Sequence, residues 1–231
     1  MNVNAFKGGM DMQRRKLILA GIIAAVLVCN LSVSLAQNAR PGDELKGELL
    51  YKENFSTSKG SLWSGSSDDN WTCYFDNGKY NMVVYRMNSW KSYAIGNNYS
   101  NFILDVQARQ EGGTSDNVCG VIIRKVDWKN YYNFLISGDG YYEIAKMENG
   151  KWSPVNWKRS DAINLGNASN LIRVICNEDA FSFYVNDILL EEYTDSSFSS
   201  GNIGLTAGTN YAIGPARVSF DDMSIWQIKN S

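Results

Sequence analysis

The sequence predicts an all-β protein, an antiparallel β-sandwich or jelly roll, and three observations carry that prediction. The 231 residues include 13 Tyr, 9 Phe and 7 Trp but only 3 Pro, and aromatic residues are enriched in strands. Short runs of β-branched and aromatic residues are separated by Gly, Asn, Asp and Ser clusters about every 8 to 12 residues, which is typical of sandwiches. After the first 36 residues no window keeps a 3.6-residue period, so we expect no helix longer than a turn or two.

The first 36 residues have the pattern of a secretory signal peptide and are not expected to belong to the fold. Arg14-Arg15-Lys16 is a basic segment, Leu17–Ala36 is almost uniformly apolar, and Ser34-Leu35-Ala36 supplies the small residues of a cleavage site. An uncleaved anchor stays open, because about 20 apolar residues can span a bilayer. A lipid anchor on Cys29 is a further alternative. We expect a secreted or cell-envelope protein, with membrane association only if this segment is not cleaved.

The rest of the chain is predicted to be one β domain over residues 49–228, after a short polar leader over residues 37–48. The candidate strands are, in chain order, Leu49–Phe55, Trp71–Phe75, Tyr80–Met87, Tyr93–Ile95, Phe102–Gln107, Val118–Lys125, Tyr131–Ile136, Tyr141–Met147, Leu171–Asn177, Phe181–Val185, Ile188–Thr194, Gly201–Ala207 and Arg217–Gln227. Turn-forming sequences lie between consecutive strands at Asp76-Asn77-Gly78, Asp139-Gly140, Glu148-Asn149-Gly150 and Asn186-Asp187. No internal repeat is visible, so we expect a single domain.

Charge and residue counts exclude several classes of function. The net charge is −2, and removal of residues 1–36 takes away four basic residues and one acid, which leaves −5. A surface of that charge argues against nucleic-acid binding. The chain contains no histidine, which excludes catalytic triads that use histidine and metal sites ligated by histidine.

Three cysteines remain after the signal segment, namely Cys73, Cys119 and Cys176. At most one disulfide can form among them, and a chain of this size can bury a full core without one. Cys119 and Cys176 lie in apolar candidate strands, where a thiol behaves as a small hydrophobic group.

Alternation along the strands predicts which side chains share a face. In the strand Tyr131–Ile136, one face carries Tyr132, Phe134 and Ile136 and the other carries Tyr131, Asn133 and Leu135. In the preceding strand, Val121 and Ile123 share a face, so Arg124 is expected on the opposite face with Ile122. Two explanations of Arg124 stay open. It pairs with an acid on a neighbouring strand, such as Glu143, or its planar donors face a ligand.

Several motifs in a fixed order resemble a known domain. They are Cys119-Gly120-Val121-Ile122-Ile123-Arg124, Asp127-Trp128-Lys129-Asn130-Tyr131-Tyr132-Asn133-Phe134, Gly138-Asp139-Gly140-Tyr141-Tyr142, Gly150-Lys151-Trp152, Asn170-Leu171-Ile172-Arg173-Val174, Phe183-Tyr184-Val185-Asn186-Asp187, Asp195–Leu205 and Val218–Met223. The chain resembles the concanavalin A-like jelly-roll domain of the 3-keto-disaccharide hydrolase family, also described as family 16 glycoside hydrolase-like. The resemblance covers roughly residues 49–228 and implies a jelly-roll sandwich, a fold that hosts lectins, structural modules and glycanases alike.

The resemblance implies a hydrolase, but the expected acids are missing. Retaining glycosidases place two carboxylates about 5–5.5 Å apart. Family 16 glycanases, which share this architecture, carry them on one strand as Glu-x-Asp-x-x-Glu or a close variant, and no such string occurs here. The adjacent Glu191 and Glu192 point to opposite faces of their strand. The resemblance also implies polar or metal-binding residues in the groove, and without histidine any metal ligand or base there would have to be a carboxylate.

The aromatic residues favour a carbohydrate surface. Sugar rings stack their C–H faces on aromatic planes, and their hydroxyls bond to polar side chains. We predict a binding site formed by Arg124, Tyr132, Tyr142, Trp157 and Trp90, if the strands around 120–157 line one concave sheet. The alternative for each aromatic residue is packing in the β-core.

No cofactor is expected, except that a calcium site at Glu53 and Asp222 stays open. These acids lie near the ends of the first and last strands, which often pair in jelly rolls, and Ca²⁺ prefers oxygen ligands. Three functions follow. The first is an exported, non-catalytic module that binds a glycan or another surface partner. The second is a hydrolase or lyase acting on 3-keto-disaccharides or another small sugar. The third is a structural or adhesive module without a sugar site.

Overall fold

A computed structural model of the protein describes residues 39–209 and 215–229, with only the backbone at residues 154 and 155. Within these ranges a short 3₁₀ helix at Asp43–Leu45 precedes the strands β1 (Lys46–Glu53), β2 (Ser66–Ser67), β3 (Trp71–Asp76), β4 (Lys79–Val84), β5 (Ser89–Tyr99), β6 (Phe102–Gly112), β7 (Val118–Asp127), β8 (Asn130–Ser137), β9 (Tyr141–Glu148), β10 (Lys151–Arg159), β11 (Ser169–Asn177), β12 (Ala180–Val185), β13 (Ile188–Thr194), β14 (Gly201–Thr209) and β15 (Ala216–Ile228). The proposed signal segment lies outside the described residues. In the part that is described, no helix is long and apolar enough to cross a membrane.

The strands form two antiparallel sheets, as the sequence predicts for a jelly-roll sandwich. The larger sheet has the order β13-β12-β11-β6-β15-β4-β3-β2, and β1 also pairs with β15. The smaller sheet has six strands in the order β10-β9-β8-β7-β14-β5. Consecutive strands are joined by tight turns at the predicted places. In two of these turns, Asn77-Gly78 and Asn149-Gly150 have φ between 50° and 76°, the left-handed region that Gly and Asn tolerate best.

The core lies between the two sheets and is rich in aromatic rings. Phe134 of the smaller sheet packs on Phe183 of the larger sheet with ring centroids 4.9 Å apart. Tyr132 approaches Phe181 at the same distance. Cys73, Cys119 and Cys176 are free thiols buried in this core, so no disulfide joins them, and burial raises the pKa of each.

The larger sheet contains a buried ion pair on neighbouring strands. Asp105 of β6 and Arg173 of β11 are register partners, and the guanidinium donates to both carboxylate oxygens at 2.6 and 2.8 Å. Lys46 of β1 reaches the same carboxylate at 3.3 Å. Two parallel hydrogen bonds satisfy the planar fork of arginine and make its burial tolerable.

Candidate ligand groove

One face of the smaller sheet packs in the core, and the other faces outward. The alternation predicted for β8 is confirmed. Tyr132, Phe134 and Ile136 belong to the core, whereas Tyr131 and Asn133 line a cavity on the outer face. The same period governs the neighbouring strands, so the outer face is built from every second residue of β5, β14, β7, β8, β9 and β10.

Cross-strand register places small residues on the floor of this face. Ser92 is opposite Thr206, which is opposite Gly120, which in turn is opposite Leu135. Glu143 follows opposite Leu135. This row of register partners crosses five strands and ends at Glu143. Leu135 is the one large side chain between Ser92 and Glu143.

Two tryptophans show that this face is concave. Trp90 is on β5 and Trp152 on β10, the two edge strands, yet their ring centroids are 6.4 Å apart. In a flat sheet, five strand spacings of about 4.8 Å would separate these edges by roughly 24 Å. Two indole side chains leaning toward each other do not close that gap to contact. The sheet must therefore curl toward its outer face, and we call the resulting depression the groove.

The groove contains a cavity of about 390 Å³ between the two tryptophans and the floor of the sheet. Its described lining combines apolar surface with neutral polar groups and carries no charge; the residues are Trp90, Ser92, Tyr131, Asn133, Met147, Trp152 and Thr206. Large aromatic side chains beside a few polar groups are typical of small-ligand sites of about 300–1,000 Å³.

The polar groups of the groove are only partly satisfied. Ser92 and Thr206 share a hydrogen bond of 2.8 Å, and the Thr206 hydroxyl also lies 3.3 Å from the Lys91 carbonyl. If Thr206 donates to that carbonyl, Ser92 donates to Thr206 and keeps its own oxygen available as an acceptor. Asn133 is 3% exposed, and its buried Oδ1 has no hydrogen-bond partner among the described residues. Since an unpaired buried amide is costly, Asn133 is suited to a ligand hydroxyl.

Glu143 is the one carboxylate on the described strand positions of the groove floor. The residue is 5% exposed, and its carboxyl group makes no hydrogen bond or ion pair with a described residue. Burial raises the pKa of the Glu143 carboxyl to about 7. The group is therefore a mixture of neutral and charged forms near neutral pH, and its neutral form can donate a proton.

Of the five predicted site residues, two lie on the outer face. Trp90 borders the main cavity and is 40% exposed. Trp157 lines a second, open cavity of about 220 Å³ at another part of the face, together with Tyr141, Ser137, Asp139 and Asp116. The two tryptophans border different cavities of the outer face, and their role in binding stays a prediction.

The prediction that Arg124 points away from the core is wrong. Pairing is shifted between Ile123 and Asp127, and Arg124 has a φ of 47°, so a bulge interrupts the alternation. The side chain is fully buried, donates to the carbonyls of Phe198 at 3.1 Å and Ser100 at 3.0 Å, and lies 4.8 Å from the centre of the Phe181 ring. It pairs with carbonyls and a ring, not with Glu143.

Tyr132 and Tyr142 also lie between the sheets and not in the groove. Period two places Tyr132 with Phe134, and its hydroxyl donates to Asp195 Oδ1 at 2.6 Å. Tyr142 belongs to the core as well, and its hydroxyl donates to the Leu190 carbonyl at 3.0 Å. The Tyr142 hydroxyl thereby connects the smaller sheet to β13, and the Tyr132 hydroxyl connects it to the residue that follows β13.

The strand ends that carry the two acids considered for calcium are paired, since Glu53 is opposite Met223, the residue after Asp222. The calcium site itself stays a prediction. The Glu53 carboxylate accepts hydrogen bonds from the Phe55 amide at 2.9 Å and the Ser61 hydroxyl at 2.5 Å. Among the described residues, no three acidic or cysteine side chains are grouped as metal ligands.

Sequence reasoning did not assign the polar residues of the groove. Ser92, Asn133 and Thr206 each lie in strands, and alternation alone places Asn133 beside Tyr131 and away from the core. A polar residue at position 133 of an otherwise apolar and aromatic strand was the signal in the sequence that could have indicated this site. Trp152 and Tyr131 are among the many aromatic residues of the chain, but the strand that carries Trp152 was not predicted.

Comparison with solved structures identifies the fold. The carbohydrate-binding module CBM66 from Bacillus subtilis superposes with a TM-score of 0.56 at 19% identity, over 68% of this chain and 96% of that one. A Bacillus subtilis protein of unknown function with a galectin-like fold gives 0.60 at 10% identity, over 80% and 99%. Bacillus licheniformis β-glucanase gives 0.58 at 14% identity, over 78% and 99%. The chain is therefore a jelly-roll β-sandwich.

No protein-family model matches the chain, and no curated protein matches it. The jelly-roll part of the resemblance drawn from the sequence is thus confirmed, while membership of the 3-keto-disaccharide hydrolase family stays a prediction.

Proposed function

We propose that the protein is an exported, non-catalytic carbohydrate-binding module whose site is the groove. The observation that carries the proposal is the cavity itself, which is lined by Trp90, Trp152 and Tyr131 and by Asn133, whose Oδ1 has no hydrogen-bond partner among the described residues. Aromatic planes accept the C–H faces of sugar rings, and the amide exchanges hydrogen bonds with their hydroxyls. The folds of a carbohydrate-binding module and a glucanase among the similar structures agree with this proposal. Export rests on the basic and apolar N-terminal segment.

The proposal is tested by affinity gel electrophoresis of the protein in gels that contain one of a broad panel of neutral and acidic polysaccharides. Retardation by at least one polysaccharide, reversed by free oligosaccharide, is the expected result. A folded sample that migrates unretarded through every gel would overturn the proposal and favour a structural or adhesive module.

Glu143 favours one alternative, a glycoside hydrolase or lyase acting on a small sugar such as a 3-keto-disaccharide. A general acid needs a carboxyl whose pKa lies near the working pH, and burial raises the pKa of Glu143 to about 7. A double-displacement or inverting reaction needs a second carboxylate, and none lies on the described strand positions of the groove floor. Release of the aglycone from 3-keto-glucosides that is lost in Glu143→Gln but kept in Glu192→Gln would establish this alternative.

A further inference from the structure

A second aromatic platform continues from the groove onto the turn between β7 and β8. Trp128 lies on this turn and is 54% exposed. Its ring meets Tyr131 edge to face, with centroids 6.4 Å apart, and Lys125 Nζ lies 4.2 Å from the ring centre. These two contacts restrict the conformation of the exposed indole ring before any ligand binds.

The turn that presents Trp128 is itself fixed. The Asp127 carboxylate accepts hydrogen bonds from the Lys129 amide at 2.6 Å and from the Asn130 side chain at 3.0 Å. The Asn130 side chain also accepts a hydrogen bond from the Asn149 amide of the next turn at 3.0 Å. These bonds hold the two turns together at one end of the smaller sheet.

Tyr131 connects the two aromatic regions. It lines the cavity that contains Asn133 and also contacts Trp128 outside that cavity. Tyr131 thus joins the cavity lined by Trp90 and Trp152 to the exposed ring of Trp128. A single sugar ring held at Asn133 leaves Trp128 uncovered.

Resting on the proposed function, we infer that the ligand is an uncharged oligosaccharide that occupies two subsites, a deep one at Asn133 and an outer one on Trp128. The deep subsite orients one sugar through hydrogen bonds, whereas the outer subsite adds stacking with a later unit of the same chain. A monosaccharide or short end group uses only the deep subsite.

The charge of the ligand follows from the residues around the deep subsite. No described residue that lines this cavity is a lysine or arginine, and the Glu143 carboxyl is buried on the same face. In the deep subsite an anionic sugar would meet no described lysine or arginine, and it would be repelled by the charged form of Glu143, which is unfavourable in a partly dehydrated site. Uronic acids and sulfated sugars are therefore disfavoured.

Isothermal titration calorimetry with cello-, laminari-, malto- and fructo-oligosaccharides of two to six units tests the inference. We expect that within the series that binds, affinity rises at least tenfold between two and four units. Trp128→Ala should remove most of that rise and change the affinity for the disaccharide less than twofold. Ile188→Ala, an equally exposed apolar residue on β13, is the matched control and should change neither. An oligogalacturonide of four units should bind at least tenfold more weakly than the best neutral tetrasaccharide.

The outcomes separate the two proposals. Binding that does not depend on chain length, or an equal loss for short and long ligands in Trp128→Ala, overturns the outer subsite and leaves carbohydrate binding standing. Tighter binding of the oligogalacturonide overturns the assignment to uncharged sugars. Absence of binding to every oligosaccharide and polysaccharide overturns carbohydrate binding and this inference together.

Discussion

The indole ring of Trp90 lies directly over Gly208 of the neighbouring strand β14. A Cβ atom placed on Gly208 would be 2.8 Å from Trp90 Cδ2 and 3.2 Å from the Ser89 carbonyl oxygen. Glycine at this position leaves room for the indole ring beside Trp152. The position of the Trp90 ring at the groove thus depends on the lack of a Cβ atom at Gly208.

Substitution Gly208→Ala should push the Trp90 ring away from Trp152 and weaken glycan binding several-fold. Overpacking of this kind also lowers the free energy of unfolding by about 1–3 kcal/mol. Gly96→Ala is the control, because a Cβ there meets nothing within 4 Å. Titration calorimetry and urea denaturation measure both effects, and equal behaviour of the two variants would contradict this role of Gly208.

Arg124 is expected to act in stability and not in binding. Arg124→Ala leaves the carbonyls of Phe198 and Ser100 without their donors and opens a space beside Phe181. We expect a loss of about 2–4 kcal/mol in the free energy of unfolding. Arg217→Ala, at an exposed position, should cost less than about 0.5 kcal/mol. Reduced glycan affinity in a folded Arg124→Met variant would show that this assignment is wrong.

Breaking the Asp105–Arg173 pair should be far more costly than breaking an exposed pair. Asp105→Asn removes the carboxylate charge that lies against the buried guanidinium of Arg173, with an expected loss of about 3–5 kcal/mol. Lys158→Ala removes the solvent-exposed pair with Glu191, which is worth about 1 kcal/mol or less. Guanidinium denaturation of the two variants checks the contrast, and losses of similar size would contradict it.

Glu143 should make the protein less stable as pH rises. Its pKa is about 7 in the fold, whereas an unfolded glutamate has a pKa of about 4.3. The folded chain therefore holds the proton more tightly. The favourable contribution is complete below about pH 4 and is lost as pH rises through 7. Glu143→Gln should flatten this dependence and, at pH 8, be more stable by roughly 3–4 kcal/mol.

The pH dependence is measured by urea denaturation between pH 4 and 9. Glu192→Gln, a change at an exposed residue of β13, should keep the wild-type slope. An unchanged slope in Glu143→Gln would mean that its carboxyl is ionised without penalty in the fold.

The local part of the fold was predictable because strands and turns are specified by neighbouring residues. Period two correctly separates Phe134 from Asn133, and Asn77-Gly78 marks a tight turn. Strand β10 was not predicted, and it contains Pro154, a residue type that normally argues against a central strand. Its place at the edge of the sheet explains why proline is tolerated there.

The groove could not be predicted from local pattern. Arg124 was assigned to the wrong face because a bulge reverses alternation, and no sequence signal marks an arginine with positive φ. The approach of Trp90 to Trp152 depends on the curvature of six strands, which is a property of the whole sheet. Only with that curvature does Asn133 become the buried floor of a cavity.

The most direct test of glycan binding in the groove compares Trp152→Ala with Tyr74→Ala, two aromatic residues of similar exposure on opposite sheets. Affinity for the polysaccharide that retards the wild-type protein is measured for both by affinity electrophoresis, and folding is checked by urea denaturation. We predict at least a tenfold loss of affinity in Trp152→Ala and no change in Tyr74→Ala, with both variants folded. Wild-type affinity in Trp152→Ala, or an equal loss in Tyr74→Ala, would contradict binding at the groove.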